Sequence, residues 1–240
     1  MMSCILNIET STSVCSVALS ADGEVLFEKA SFDGPSHAAL LGVFVEEALV
    51  VLKGQGRKLD AVAVSSGPGS YTGLRIGVSV AKGLCFGFGI PLIGIHTLDI
   101  LAASVCRGDS QNGPVCSAPM FYCPMLDARR MEVYAALYDT SLNPIREIRA
   151  DIVEADTYAA YLEKGTVCFF GNGASKCKSV ITSPNAFFLD DIHPLAVNMI
   201  PLAEQALAAG QVEDTAYFEP FYLKEFQATV AKNKVLGKCL

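Results

Sequence analysis

The segment Gly67-Pro68-Gly69-Ser70-Tyr71-Thr72-Gly73-Leu74-Arg75-Ile76-Gly77 gathers residue types that could do chemistry: close-set glycines, hydroxyls and an arginine. Glycines so spaced can bring backbone amides onto a phosphate. The known templates fail on spacing. A dinucleotide fingerprint G-x-G-x-x-G started at Gly67 ends on Thr72. A P-loop needs Gly-Lys followed by Ser or Thr, and no lysine appears before Lys82. A hydrolase elbow G-x-S-x-G needs glycine where Pro68 and Thr72 flank Ser70. The turn therefore reads as a tight strand-to-helix connection capped by Ser70 or Thr72. Gly73, Gly77 and Gly83 in the following helix each cost about 1 kcal/mol relative to alanine. A helix that gives up stability for a flat small-residue face is packed closely against something, its own sheet or a second protein.

Two carboxylates form the next candidate pair. Glu9 and Asp127 each end an apolar strand and precede a polar turn. Facing each other they could hold a hydrated magnesium ion. Alternatively they cap turns, with Asp127 pairing to Arg129 or Arg130. The turn Thr10-Ser11-Thr12-Ser13 lacks the glycine that would bring amides close to a phosphate. Glu9, Thr10, Ser11, Asp127 and Arg129 are thus expected to line a degenerate nucleotide cleft with little affinity for ATP.

Bulk properties narrow the function classes. The net charge of −7 argues against unaided binding to a polyanion. Arg129 with Arg130, and Lys224 with Lys232, Lys234 and Lys238, are local basic groups that read as solvated surface. None of the 9 cysteines is spaced C-x-x-C, and Cys15 and Cys168 fall inside apolar strand patterns, so reduced, core-filling thiols are expected. With no secretory leader before the first strand and no run of ~20 apolar residues, a soluble cytoplasmic protein is expected.

The elements that must position these residues recur. Cys4–Glu9, Val14–Ser20 and Glu24–Ser31 read as strands, with Asp22-Gly23 as a hairpin turn. A helix at His37–Leu52, a strand at Asp60–Ser65, a helix at Ser70–Gly87, a strand at Pro91–His96 and a helix from Thr97 to Val105 follow, Thr97 serving as N-cap. After a polar break at 107–119, strands at Pro119–Asp127, Glu132–Tyr138 and Ile145–Ile152 repeat the order. A helix at Asp156–Lys164, strands at Thr166–Phe170 and Phe187–Asp190, and a helix at Pro194–Ala209 complete it. Gly67-Pro68-Gly69 and Gly171-Asn172-Gly173 each close a strand and open a helix, which supports internal duplication. The fold class is α/β, two βββαβα halves. This order resembles the ribonuclease-H-like halves of the actin/Hsp70-type superfamily. The first half is expected to span 1–106 and be joined by about 194–240, with the second at 107–193.

"GPGSYTGLRIG", "ILNIETSTSVCSVAL", "LDAR" before Glu132-Val133-Tyr134, and "PFYLK" at 220–224 together resemble the bacterial TsaB family, formerly called YeaZ. The resemblance implies a non-catalytic subunit that binds the transferase TsaD. With the ATPase TsaE, they place a threonylcarbamoyl group on N6 of adenosine beside the anticodon of tRNAs reading ANN codons. It implies pairing through helices of the first half, with TsaD or with a second copy of itself. No tightly bound cofactor is expected, since ATP and metal belong to the partner subunits, and tRNA is met indirectly through the complex. Ser70, Tyr71, Thr72, Leu74, Arg75, Val78, Ser79 and Lys82 are the expected partner interface, with the helix at His37–Leu52 beside them. Tyr71, Leu74, Arg75 and Val78 are the expected anchors. TsaD-like paralogues bind metal through an H-x-x-x-H pair on the first long helix. Here His37 is followed by Leu41, so His37 reads as a capping or surface residue and no metal site is expected. A glycoprotease-like (M22-type) metallopeptidase and an independent actin-superfamily ATPase or kinase are the alternatives. The first needs a metal or a nucleophile–base pair, the second a glycine-bearing phosphate turn.

Overall fold

The computed structural model describes residues 3–34, 36–106 and 121–224. The element order is β1 (Cys4–Glu9), β2 (Cys15–Ala21), β3 (Glu24–Ser31), α1 (His37–Gly54), β4 (Ala61–Gly67), α2 (Tyr71–Phe88), β5 (Leu92–His96) and α3 (Thr97–Cys106). Then come β6 (Phe121–Asp127), β7 (Glu132–Tyr138), β8 (Pro144–Ile152), α4 (Ala159–Leu162), β9 (Val167–Phe170), a 3₁₀ turn (Ser175–Cys177), β10 (Ala186–Leu189) and α5 (Ala196–Ala208). The break at 107–119 and Lys232, Lys234 and Lys238 lie outside the described residues.

The strands form two five-stranded sheets, β3-β2-β1-β4-β5 and β10-β9-β6-β7-β8. Read from its β8 edge, the second repeats the first. In each, the first three strands pair antiparallel through short turns, and the last two add in parallel. Parallel addition needs crossovers. The first half supplies α1 and α2, the second only α4 and the 3₁₀ turn. The halves are a duplication with the second abbreviated.

Helices α1 and α2 cover one face of the first sheet through a core that includes Leu6, Ile8, Leu41, Phe44, Val64 and Val78. Helix α5 covers the other face, packing Met199, Ile200 and Ala203 near Ile5, Ala63 and Ile93. Ile100 of α3 joins that cluster. Leu98, Leu101 and Ala102 of the same helix pack with Leu126 and Phe170 of the second sheet. Tyr138 donates its hydroxyl to Asp99 of α3, adding a polar tie. The far face of the second sheet is closed by Tyr158, Leu162 and Cys177. Among the described residues six cysteines, including Cys15 and Cys168, are buried and form no disulfide. Burial lifts the Cys15 and Cys85 thiols to about 11, leaving them protonated core fillers.

Two local expectations fail for identifiable reasons. The helix expected at Asp156–Lys164 shrinks to Ala159–Leu162, because the Thr157 hydroxyl takes the Glu154 amide and holds the preceding residues in turns. Thr97 does not cap α3: its buried Oγ1 has no hydrogen-bond partner.

Candidate functional site

The glycine-rich turn is built between β4 and α2. Gly67 has φ 112°, and an added Cβ would strike the Phe221 carbonyl oxygen at 2.7 Å, so both conformation and space require glycine there. Ser70 caps α2 by accepting the Gly73 amide at 3.3 Å, and Gly89 ends the helix in the left-handed region. Thr72, the other capping candidate, is exposed on the first turn.

The small-residue stripe of α2 faces inward. A Cβ at Gly69, Gly73 or Gly77 would lie closer than 3.0 Å to Ser11 or Thr10. That close approach is used: the Thr10 hydroxyl donates to the Gly73 carbonyl at 2.8 Å, and the Ser70 amide donates to Ser11 O at 2.6 Å. The partner of the glycine face is therefore the chain's own β1–β2 turn. The turn is covered as a result, with Glu9, Thr10 and Ser11 fully buried and Ser13 alone exposed among residues 10–13.

This corrects the expected interface. Leu74 and Val78, at 1% and 5% exposure, share the inward stripe with Gly73, Gly77, Ala81 and Cys85. They are core residues, because the sheet claims the apolar side of the helix. Lys82 is engaged as well, its ammonium donating to the carbonyls of Ala216 and Phe218 at 3.0 and 3.1 Å. Thr72, Arg75 and Ser79 are presented outward, beside half-buried Tyr71, Ile76 and Val80. With Ala38 of α1 these six line a shallow depression along α1 and α2. Arg75 lies over the Tyr71 ring and donates to its hydroxyl at 2.8 Å, which holds the guanidinium against the helix. Ala38, Ile76 and Val80 were missed. The signal was their spacing on the helix faces that remain once the glycines are assigned inward.

His37 is buried rather than capping or exposed. Its Nε2 lies 2.7 Å from the Thr12 carbonyl, where it donates, and the ring edge packs against the backbone of Gly73. Ser36 takes the N-cap position. Among the described residues no cluster of His, Cys, Asp or Glu could hold a metal ion.

The cleft carboxylates do not act as a pair. One Glu9 oxygen accepts the Ser11 amide and the other has no partner. Burial pushes this carboxyl up to about 7. Asp127 is exposed on the β6–β7 hairpin and pairs with Lys176, while Arg129 contributes its backbone amide at 3.0 Å. The expected pairing of Asp127 with an arginine side chain is thus replaced by a lysine from the 3₁₀ turn. With Glu9 sealed under α2 and Asp127 engaged, the pair offers no site shaped for a hydrated magnesium ion.

A segment after α5 straps the halves together. It pairs Glu213 with Leu92 at the sheet edge, and the Phe221 amide donates to Ser66 O at 2.7 Å. Tyr222 then stacks near Tyr71, 4.9 Å between ring centroids. Lys224 forms an ion pair with Glu132 on the second sheet.

The comparisons agree with this architecture. The family model for TsaD, "tRNA N6-adenosine threonylcarbamoyltransferase", matches residues 31–232. The tRNA threonylcarbamoyladenosine biosynthesis protein TsaB of Escherichia coli is 31% identical across 98% of this chain and 99% of that protein. Its namesake in Bacillus subtilis is 31% identical across 74% of each. The crystal structure of a Pseudomonas aeruginosa protein described as similar to peptidase YeaZ superposes with TM-score 0.78 at 27% identity, covering 93% of this chain and all of that one (100%). Pseudomonas aeruginosa YeaZ gives 0.71 at 27% identity over 92% and 100%. By these matches, and by its duplicated fold, the chain belongs to the TsaB (YeaZ) family.

Proposed function

We propose that this chain is the non-catalytic docking subunit of a complex that transfers threonylcarbamoyl to N6 of adenosine in tRNA. It holds a TsaD-type transferase through the α1–α2 face, and in isolation a second copy takes the same place. A TsaE homologue completes the complex, and ATP and metal act on the partner subunits. The observation that carries the reading is the outward side of α2, where exposed Thr72, Arg75 and Ser79 stand with half-buried Tyr71, Ile76 and Val80 around a shallow depression beside Ala38. Aromatic and arginine groups next to small side chains are what protein interfaces use as anchors. The non-catalytic role is supported by His37, whose ring nitrogen is committed to the Thr12 carbonyl instead of facing outward as a ligand.

Reconstitution tests the reading. Adenosine modification is measured with the transferase and its ATPase partner, with and without this chain. The proposal expects activity only when the chain is added, and none from the chain alone. Full activity without it would contradict the proposal.

A further inference from the structure

The β6–β7 hairpin breaks a local rule. Arg129 and Arg130 have φ 71° and 50°, two consecutive left-handed residues where asparagine and glycine are favoured. Such placements are strained for residues with a Cβ, and departures of this kind concentrate at functional positions. Both side chains are exposed, and neither guanidinium has an ion-pair partner among the described residues. Lys176 and Lys224 reach the same place, the first onto Asp127 and the Glu132 carbonyl, the second onto the Glu132 carboxylate. The two lysines thus meet two carboxylates while the two arginines stay unpaired beside them, a local positive excess on a chain whose net charge is −7. Half-buried Tyr134 lies among them. Burial raises its phenol above the ordinary range, while Lys224 and Arg129 close by act in the opposite direction.

We propose that this hairpin is an RNA-contacting surface, with the Arg129 and Arg130 guanidinium forks taking phosphodiester oxygens and Lys176, Lys224 and Tyr134 framing them. Exposed guanidinium groups beside an aromatic ring fit a sugar–phosphodiester backbone. An acidic protein face is the competing occupant. The inference rests on the docking-subunit reading, because a chain of this net charge needs a partner subunit to bring the RNA within reach. The strap places the surface close to the docking face, through Lys224 and, two residues earlier, Tyr222 on Tyr71.

The test is the double variant Arg129→Asn/Arg130→Gly, which gives the turn residues suited to left-handed backbone while removing both charges. Binding of an unmodified tRNA transcript to the complete complex is measured against salt, together with transferase affinity and the melting temperature of the chain. The proposal expects the variant to melt no lower than wild type and to hold the transferase equally well. It should bind the tRNA about tenfold more weakly, with a salt slope shallower by roughly 1 to 2. Unchanged tRNA affinity and slope would overturn it. So would a variant that loses the transferase instead, which would assign the arginines to a protein face. A wild-type chain that fails to hold the transferase would contradict the docking reading and this inference with it. A chain that holds it with unaltered RNA binding in the variant would contradict this inference alone.

Discussion

Glu9 closes β1 with no exposed surface, one oxygen on the Ser11 amide and the other unsatisfied. Its carboxyl, pushed from 4.5 to about 7 mainly by burial, binds its proton more tightly folded than unfolded. Stability attached to this group is therefore greatest below the unfolded value and is lost as pH rises through the window between the two. The loss amounts to roughly 3 kcal/mol above it. Glu9→Gln keeps an acceptor for Ser11 and removes the charge. The variant should melt higher than wild type near pH 8, and the two should converge near pH 4, as thermal unfolding at each pH will show. Identical pH profiles would mean that Glu9 carries no such penalty. A second prediction belongs to Gly73, whose missing Cβ leaves room for the Thr10 carbonyl and the His37 ring. Gly73→Ala should cost about 1–3 kcal/mol in denaturant unfolding despite its better helix propensity.

At the scale of elements, α2 divides into an inward side with Leu74, Val78, Gly73 and Gly77, and an outward side with Thr72, Arg75 and Ser79. Leu74→Ala should destabilise the chain by about 2–5 kcal/mol. Arg75→Glu, at an exposed position, should change stability by less than about 1 kcal/mol and act on docking instead. Chemical denaturation of the two variants separates these roles. The helix and its bounds were legible in the sequence, since Ser70 and Gly89 punctuate a periodic run. Which side faced the sheet was not, because Gly73 and Gly77 suit close approach to any backbone and only β1–β2 placement decides whose. The position of His37 was hidden for the same reason: its partner, the Thr12 carbonyl, lies 25 positions away and carries no side-chain signal. The strands were legible because alternation and β-branched runs are local. The duplication was legible because the second half repeats the order and its glycine turn.

Across the whole molecule, α3 packs against both sheets, α5 against the first, and the strap joins β4, α2 and β7, so the α1–α2 face and the second half are mechanically continuous. The continuity is carried by packing and backbone more than by charge. Lys224→Ala removes a half-exposed ion pair and should lower stability by less than about 1 kcal/mol in thermal unfolding. The strap went unread as an element because its partners, Leu92, Ser66, Tyr71 and Glu132, are scattered along the chain. The proposed docking of the transferase on the outward α1–α2 face underlies the functional reading. It is tested most directly by measuring the affinity of the transferase for wild-type chain and for Arg75→Glu/Ser79→Glu, two exposed positions on that face. A loss of about 100-fold or more, roughly 2.7 kcal/mol, with an unchanged melting temperature is expected. An affinity within about twofold of wild type, under 0.5 kcal/mol, would contradict it.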